Sequence, residues 1–208
     1  MGVAANLFAF LYDLVLSRTE KRTLAAHRRE LLAGLGGRVL EIGAGTGACL
    51  PYYPDELAEL VLTEPAPAMI RRLERRLARL GREAVVVQAR AEALPFPDHT
   101  FDAAVATLAL CTVSNPDKAL AELRRVLVSG GLLVFVEHVR SDEQRLGRWQ
   151  DRLARPWQAI GQGCRLNRRT AEAIERAGFQ LERIERTELR PGPALTRPLI
   201  VGVARAAS

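Results

Sequence analysis

Cysteine is scarce in this sequence, and the three cysteines, Cys49, Cys111 and Cys164, lie far apart. They form no C-x-x-C pair and no zinc spacing, which excludes a small disulfide-bonded scaffold and predicts reduced thiols in a cytoplasmic protein. No uncharged apolar run reaches the roughly 18 residues that a membrane-spanning helix needs, so none is predicted. Internal repeats and low-complexity linkers are also lacking, which favours one globular domain.

Lysine is equally scarce: the only lysines are Lys21 and Lys118, although the formal net charge is +6. Arginine therefore supplies the positive charge, and a chain rich in Arg and Ala often reflects genome base composition. The alternative is a basic surface that meets an anionic membrane or an acidic partner, with the protein peripheral to the membrane. We expect no nucleic acid partner. The 48% apolar and 26% charged residues are normal for a soluble domain.

Short apolar strands alternate with helices, which predicts an α/β fold with a mostly parallel sheet of seven strands and helices on both faces. The turn at 190–193 is expected to join the last two strands and to add one antiparallel strand. The predicted strands are 39–42, 60–63, 84–88, 101–107, 132–137, 180–187 and 198–204. The predicted helices are 4–16, a second from the capping box Ser17–Glu20 to about Leu35, 67–80, one from Asn115-Pro116 to 129–131, and 170–177.

A glycine-rich segment, E-I-G-A-G-T-G at 41–47, follows the first of these strands. Glycines there allow positive φ and let a ligand approach the backbone at the carboxyl ends of the strands. Gly43, Gly45 and Ala48 satisfy the dinucleotide pattern G-x-G-x-x-[GA], but the loop also fits S-adenosylmethionine. Glu41 discriminates between the two, because a carboxylate repels a pyrophosphate and attracts an ammonium and a sulfonium group. This favours S-adenosylmethionine as the cofactor.

Four motifs, in this order, resemble the class I S-adenosylmethionine-dependent methyltransferases, whose fold is Rossmann-like. They are E-I-G-A-G-T-G at 41–47, T-E-P at 63–65, A-E-A-L-P-F-P-D-H-T-F-D at 91–102 and L-A-E-L-R-R-V-L-V-S-G-G at 120–131. The chain is similar to the methyltransferase type 11 group, which includes the ubiquinone/menaquinone C-methyltransferases. Three further segments resemble the methyltransferase-like enzymes that methylate alkyl thiols: T-L-A-L-C-T-V at 107–113, F-V-E-H-V at 135–139 and G-C-R-L-N-R-R-T at 163–170.

The resemblance implies a single methyltransferase domain over 1–208. Residues 1–35 are expected to form an N-terminal helical lid, and 36–138 the cofactor-binding core. Residues 139–169 are expected to be a helical insertion over the acceptor site. Residues 170–208 would then supply the C-terminal helix and β-hairpin.

The resemblance also assigns cofactor contacts residue by residue. The glycine loop would hold the methionine moiety, Glu64 the ribose hydroxyls and Met69 the adenine. Arg90 departs from the Asp or Asn that many relatives carry, so adenine recognition is expected to use backbone groups or Glu92. The complete predicted set is Tyr12, Glu41, Gly43, Ala44, Gly45, Gly47, Glu64, Pro65, Met69, Ala91, Glu92, Thr107 and Leu108.

Methyl transfer needs alignment of a nucleophile with the sulfonium methyl, and a base only when the nucleophile carries a proton. His138, just after the fifth strand, is the candidate base, and Glu137 either orients it or caps a turn. Trp149 and Trp157 either build a lipophilic acceptor pocket or pack a helix. Cys111 and Cys164 are expected to be packing residues, and no metal is predicted.

The predicted activity is direct methyl transfer to a small lipophilic acceptor, with a thiol first. A phosphatidylethanolamine-type amine or a quinone-type carbon is the alternative, and the basic segment Arg165, Arg168 and Arg169 would favour the phospholipid. An NAD(P)-linked oxidoreductase and a non-catalytic membrane-surface protein are more distant alternatives. The sequence does not indicate the oligomeric state.

Overall fold

A computed structural model describes residues 24–161, 163–190 and 192–207. The strands, in chain order, are β1 (Arg38–Ile42), β2 (Glu59–Thr63), β3 (Val85–Val87), β4 (Phe101–Thr107), β5 (Leu127–His138), β6 (Phe179–Glu188) and β7 (Pro198–Ala206). The α-helices are α1 (Ala25–Leu32), α2 (Pro67–Leu80), α3 (Pro116–Val126), α4 (Gln144–Ile160) and α5 (Thr170–Arg176). Two 3-10 turns, Leu50–Tyr52 and Ala194–Thr196, complete the described elements.

The seven strands form one sheet in the order β3-β2-β1-β4-β5-β7-β6. Strands β1 to β5 are parallel, and β7 runs antiparallel to both of its neighbours. The predicted α/β architecture, with one antiparallel strand contributed by the C-terminal pair, is confirmed. Because the parallel strands share a direction, the loops after β1, β2, β4 and β5 all leave from the same edge of the sheet.

The core is divided by the sheet into two apolar layers. Along β4, Ala104 and Ala106 belong to the layer that contains α3 and α5, whereas Ala103 and Val105 belong to the layer that contains α1 and α2. This alternation is the period-2 pattern of a strand that is covered on both faces. It accounts for the short apolar runs within the central strands.

The boundary between α3 and β5 differs from the prediction. Asn115 caps α3 as expected, because its side chain accepts a hydrogen bond from the Lys118 amide at 3.0 Å. The helix ends at Val126, however, and not at the glycines 130–131. Leu127 is already extended and pairs with Phe101 of β4, so burial in the sheet ends the helix earlier than the glycines would.

Several predicted features fall outside the described residues. They are the helix at 4–16, the capping box of Ser17 and Glu20, and Tyr12 as a cofactor contact. Residues 139–169, predicted as an insertion, contain the described helix α4. In the described ranges no helix combines the length and the apolar character needed to cross a membrane.

Candidate active site

The glycine loop leaves the carboxyl end of β1, and its three glycines have φ angles of 60° (Gly43), 58° (Gly45) and 82° (Gly47). A Cβ on Gly47 would lie 2.7 Å from side-chain carbons of both Leu50 and Leu73. A Cβ on Gly45 would meet only the Gly43 carbonyl oxygen, at 4.0 Å. Gly47 is therefore required by packing, whereas the loop at Gly45 has open space beside it for a ligand to reach the backbone.

Glu64, at the end of β2, joins the glycine loop to the start of α2. Its Oε2 accepts a hydrogen bond from the Gly45 amide at 3.0 Å, and its Oε1 accepts one from the Ala66 amide at 2.9 Å. Burial raises the pKa of this carboxyl above its ordinary value, although the two backbone donors oppose the rise. Each oxygen of an ionised carboxylate has a second lone pair, so both can still accept from a ribose diol.

Glu41, inside β1, is buried beneath the loop and is held by Tyr53. The Tyr53 hydroxyl donates to Glu41 Oε2 at 2.8 Å, and both residues are almost fully buried. Burial raises the pKa of the Glu41 carboxyl, while the nearby Cys49 thiol, the Tyr53 hydroxyl and the positive charge of Arg28 lower it. The raised pKa means that the protein stabilises the ionised form of Glu41 only in part, which suits a site that receives a cation.

The predicted adenine side is formed by the ends of β2 and β3. Met69 is half-buried in the first turn of α2, Pro65 is exposed, and Ala91 is buried. The Glu92 carboxylate does not point freely into solvent, because its Oε1 accepts hydrogen bonds from the amides of Ser114 at 2.7 Å and Asn115 at 3.1 Å. Burial raises the pKa of Glu92, but these backbone donors, the amide of Glu92 itself and the positive charge of Arg90 together outweigh it, so the net pKa is lowered.

Arg125, on α3, holds the segment after residue 93 in place, a role that the sequence did not reveal. Its guanidinium donates to the carbonyl oxygens of Leu94 and Phe96 at 3.0 and 2.7 Å, and to the carboxylates of Asp98 and Glu122 at 2.8 Å. These charge-assisted bonds fix the backbone that borders the predicted adenine position.

The predicted methionine side lies where β4 ends. Thr107 accepts a hydrogen bond from the Cys49 thiol at 3.6 Å, and Leu108 has a positive φ of 54°, a backbone conformation that is uncommon for a leucine. The Leu108 amide donates to the Val136 carbonyl oxygen of β5 at 2.8 Å. The positive φ of Leu108 then turns the chain out of the strand, directly after this bond.

Glu137 stabilises the turn that follows. Its buried carboxylate accepts hydrogen bonds from three successive amides, those of Ala109, Leu110 and Cys111, at 2.7–2.9 Å. Burial raises the pKa of Glu137 to about 7, even though the three donors oppose the rise. Of the two roles considered from the sequence, capping a turn is the one that these contacts show.

His138, the predicted base, lies between two cysteines that are distant in sequence. Its Nδ1 is 3.9 Å from Cys111 Sγ and 3.7 Å from Cys164 Sγ, and its buried Nε2 has no hydrogen-bond partner among the described residues. The hydrogen bond from Cys111 lowers the pKa of the Cys164 thiol, and the neighbouring His138 lowers it further. We name Cys111, His138 and Cys164 the Cys–His cluster.

Apolar side chains and one arginine surround the Cys–His cluster. Leu166 packs with the two cysteines, and Leu108, Trp157 and Leu195 cover them. The Arg168 guanidinium donates to the carbonyl oxygens of Leu110 and Val113, so this arginine points inward and does not form an exposed basic patch. Trp149 does not join Trp157: its side chain is 48% exposed, with the Arg152 guanidinium over its ring.

Comparison with known proteins agrees with this fold and this arrangement of loops. The family model described as "Methyltransferase domain" matches residues 40–135, which include the glycine loop, Glu64 and the end of β4. The chain belongs to the class I S-adenosylmethionine-dependent methyltransferases, since methyltransferases more than 30% identical to it match over most of its length. A solved S-adenosylmethionine-dependent methyltransferase from Thermotoga maritima, titled a possible histamine N-methyltransferase, has the same fold, with a TM-score of 0.69, 22% identity and 97% of each chain covered.

Two relatives match over most of their length. Thiol S-methyltransferase TMT1B of Rattus norvegicus is 33% identical over 195 residues, which are 88% of this chain and 79% of that protein. Phosphatidylethanolamine N-methyltransferase of Cereibacter sphaeroides is 34% identical over 185 residues, which are 87% of this chain and 86% of that protein. The chain is therefore related at similar identity to a sulfur and to a nitrogen methyltransferase.

The cofactor that the family implies fits the residues present. The open side of Gly45 leaves room for a ligand at the backbone, and Glu64 retains acceptor capacity for hydroxyl groups. The buried Glu41 carboxylate would attract the ammonium group of the methionine moiety. The sequence analysis did not identify three features: the roles of Tyr53 and Arg125, and the proximity of the free thiols of Cys111 and Cys164. Each depends on a partner that is remote along the chain.

Proposed function

We propose that this enzyme transfers the methyl group of S-adenosylmethionine to the sulfur of a small lipophilic thiol. In this proposal Gly43 and Gly45 bring the backbone to the cofactor, Glu64 accepts from its ribose and Glu41 faces its ammonium group. S-adenosylmethionine supplies an activated methyl group, so the protein needs mainly to align the acceptor and exclude water. The relationship to a thiol S-methyltransferase, over 88% of this chain and 79% of that protein, supports the choice of acceptor.

The charges around the Cys–His cluster are the observation that favours a thiol over an amine. The carboxylate next to the cluster, Glu137, is buried and already accepts three backbone hydrogen bonds, so it is poorly placed to hold an ammonium ion. Arg168, in contrast, places a positive charge near Cys111 and Cys164. A positive environment stabilises a thiolate and disfavours an ammonium group.

Apolar groups line the same region. Leu108, Leu166, Trp157 and Leu195 surround the Cys–His cluster, and they give an acceptor an apolar wall and not a polar one. The exposure of Trp149 means that only one of the two tryptophans predicted for an acceptor pocket lies near this region. A small reactive group on an apolar body would be compatible with these contacts.

Phosphatidylethanolamine is the second candidate acceptor, and α4 carries the observation that favours it. The exposed side of this helix presents a half-exposed Trp149 among four exposed arginines, Arg145, Arg148, Arg152 and Arg155. Basic residues near an anionic membrane contribute about 1 kcal/mol of attraction each, and tryptophan is favoured at the interface. The similarity to a phosphatidylethanolamine N-methyltransferase accords with this alternative.

An acceptor panel tests the proposal. The purified enzyme is incubated with methyl-labelled S-adenosylmethionine and, in separate reactions, a short alkyl thiol, phosphatidylethanolamine in anionic vesicles, and a quinol. Gain of one methyl group is followed by mass spectrometry, with the Gly45→Val variant as a control in which the cofactor should not bind. We expect methylation of the thiol. Methylation of the vesicle lipid together with no activity on any thiol would replace the first candidate by the second.

A further inference from the structure

The Cys–His cluster has the composition of a metal site. Cys111 follows β4, His138 ends β5 and Cys164 follows α4, so three separate parts of the chain bring their ligand atoms together. The two sulfurs and one ring nitrogen all lie within 4.8 Å of one another. Thiolate and imidazole are the ligands that Zn²⁺ prefers, and structural or catalytic zinc sites commonly use them together.

The distances within the cluster match the edges of a tetrahedral site. With zinc–sulfur bonds of about 2.3 Å and zinc–nitrogen bonds of about 2.0–2.1 Å, the nitrogen and sulfur atoms on one tetrahedral edge lie about 3.6 Å apart. The separations of His138 Nδ1 from Cys164 Sγ and Cys111 Sγ are 3.7 and 3.9 Å. Small side-chain rotations would therefore suffice to place one ion at bonding distance from all three atoms.

The surrounding charges and contacts would accept such an ion. A Zn²⁺ ion with two thiolates is neutral overall, so its burial adds no net charge beside Glu137 and Arg168. Backbone hydrogen bonds hold the segments that carry the two cysteines. The Cys111 amide donates to Glu137 at 2.9 Å, and the Arg165 amide donates to the Cys111 carbonyl oxygen at 2.9 Å. The leucines and Trp157 around the cluster limit the access of water. An apolar surrounding favours the binding of a borderline ion such as Zn²⁺ by thiolate ligands.

We propose that Cys111, His138 and Cys164 form a binding site for one zinc ion, with a fourth coordination position left open. Three protein ligands and an open position are typical of catalytic zinc sites, whereas structural sites are closed by a fourth side chain. The wide separation of these residues in the sequence hid the site from an analysis of spacing. In a metal-bound state, Nδ1 of His138 is a ligand, and the ring is not the base predicted from the sequence.

The open position gives the ion a role that rests on the thiol acceptor proposed above. The acceptor thiol would bind the zinc ion as a thiolate and release its proton to solvent, because metal coordination deprotonates a thiol. A sulfur lone pair then attacks the methyl carbon of S-adenosylmethionine. The new sulfur–carbon bond forms as the methyl–sulfonium bond breaks, and that bond's electron pair stays on the sulfur of S-adenosylhomocysteine.

Metal binding is tested on the full chain without any acceptor, so the result does not depend on the proposed function. The metal content of the purified protein is measured, and the metal-free protein is titrated with Zn²⁺ or with Co²⁺ as a spectroscopic substitute. We expect about one ion per chain and, with Co²⁺, the tetrahedral and thiolate charge-transfer bands of a site with two cysteines and one histidine. Cys111→Ser, Cys164→Ser and His138→Gln should each weaken binding by at least about tenfold.

Cys49→Ser is the matched control, because Cys49 is also buried but lies outside the cluster. It should retain the bands and the affinity, and circular dichroism reports whether each variant is folded. The absence of a bound ion, or equal binding by a folded Cys111→Ser/Cys164→Ser double variant, would overturn the site. Addition of a short alkyl thiol should shift the cobalt bands. If the metal-free enzyme methylates the thiol as fast as the zinc-bound enzyme, the catalytic role of the ion is refuted and the proposed acceptor is left intact.

Discussion

The glycine loop yields a sharp prediction, because two of its glycines are required for different reasons. Gly45→Val should abolish cofactor binding with only a modest loss of stability, since its Cβ would enter space that is otherwise open. A left-handed backbone costs a residue with a Cβ about 1–2 kcal/mol. For a domain of this size, that corresponds to a decrease in melting temperature of about 2–8 °C.

Gly47→Val is the comparison variant. Its φ of 82° imposes the same kind of backbone strain, and its Cβ would also lie 2.7 Å from side-chain carbons of Leu50 and Leu73, both completely buried. Overpacking of a core adds about 1–3 kcal/mol, so Gly47→Val should be clearly less stable than Gly45→Val. The order of stabilities separates a glycine required by packing from one required by a ligand.

Two measurements decide the matter: thermal unfolding monitored by circular dichroism, and calorimetric titration with S-adenosylhomocysteine. Gly45→Val should be folded and should bind at least about 100-fold more weakly than the parent, equivalent to about 2.7 kcal/mol or more. Gly45→Ala should be intermediate. A folded Gly45→Val protein that binds S-adenosylhomocysteine with the parent's affinity would refute the assignment of this loop to the cofactor.

Three further predictions concern side chains at the predicted cofactor site. Tyr53→Phe removes the donor to the buried Glu41 and should lower the free energy of unfolding by about 1–3 kcal/mol, measured by urea denaturation; an unchanged value would contradict the contact. Burial raises the pKa values of Glu41 and Glu64, so cofactor affinity should fall as pH decreases from neutrality towards 4.5. Cofactor binding in that pH range should release protons, which calorimetry in two buffers measures. A pH-independent affinity would argue against both assignments. Because these pKa values are raised in the folded state, the two carboxyls lower the free energy of unfolding at neutral pH. This cost decreases as pH falls through the raised pKa values and is gone below the ordinary pKa of a carboxyl group. Arg125→Lys loses the planar fork that serves four partners and should destabilise by about 1–3 kcal/mol, whereas Arg124→Lys, which loses one bond to a carbonyl oxygen, should cost less in the same denaturation assay.

Local pattern was sufficient for the fold and for placing the glycine loop beside Glu64. Each of the signals used is local. Strand and helix periodicity, the glycines at 43–47 and the acid that follows the second strand are each recognised from a few neighbouring residues. Parallel strands then bring the glycine loop and Glu64 to one edge without further information. The largest boundary error among the described residues, at Leu127, arose because pairing with a neighbouring strand outweighed the local helix signal.

The surroundings of His138 were decided by the tertiary structure. Cys111 and Cys164 appear unrelated in the sequence, and only the fold brings them, from the turn after β4 and the loop after α4, to His138. Glu137 and Tyr53 likewise acquire their roles from partners that lie on other elements. Such contacts follow from how the layers pack, and packing depends on the shapes of side chains from the whole domain, whereas secondary-structure patterns depend on neighbours along the chain.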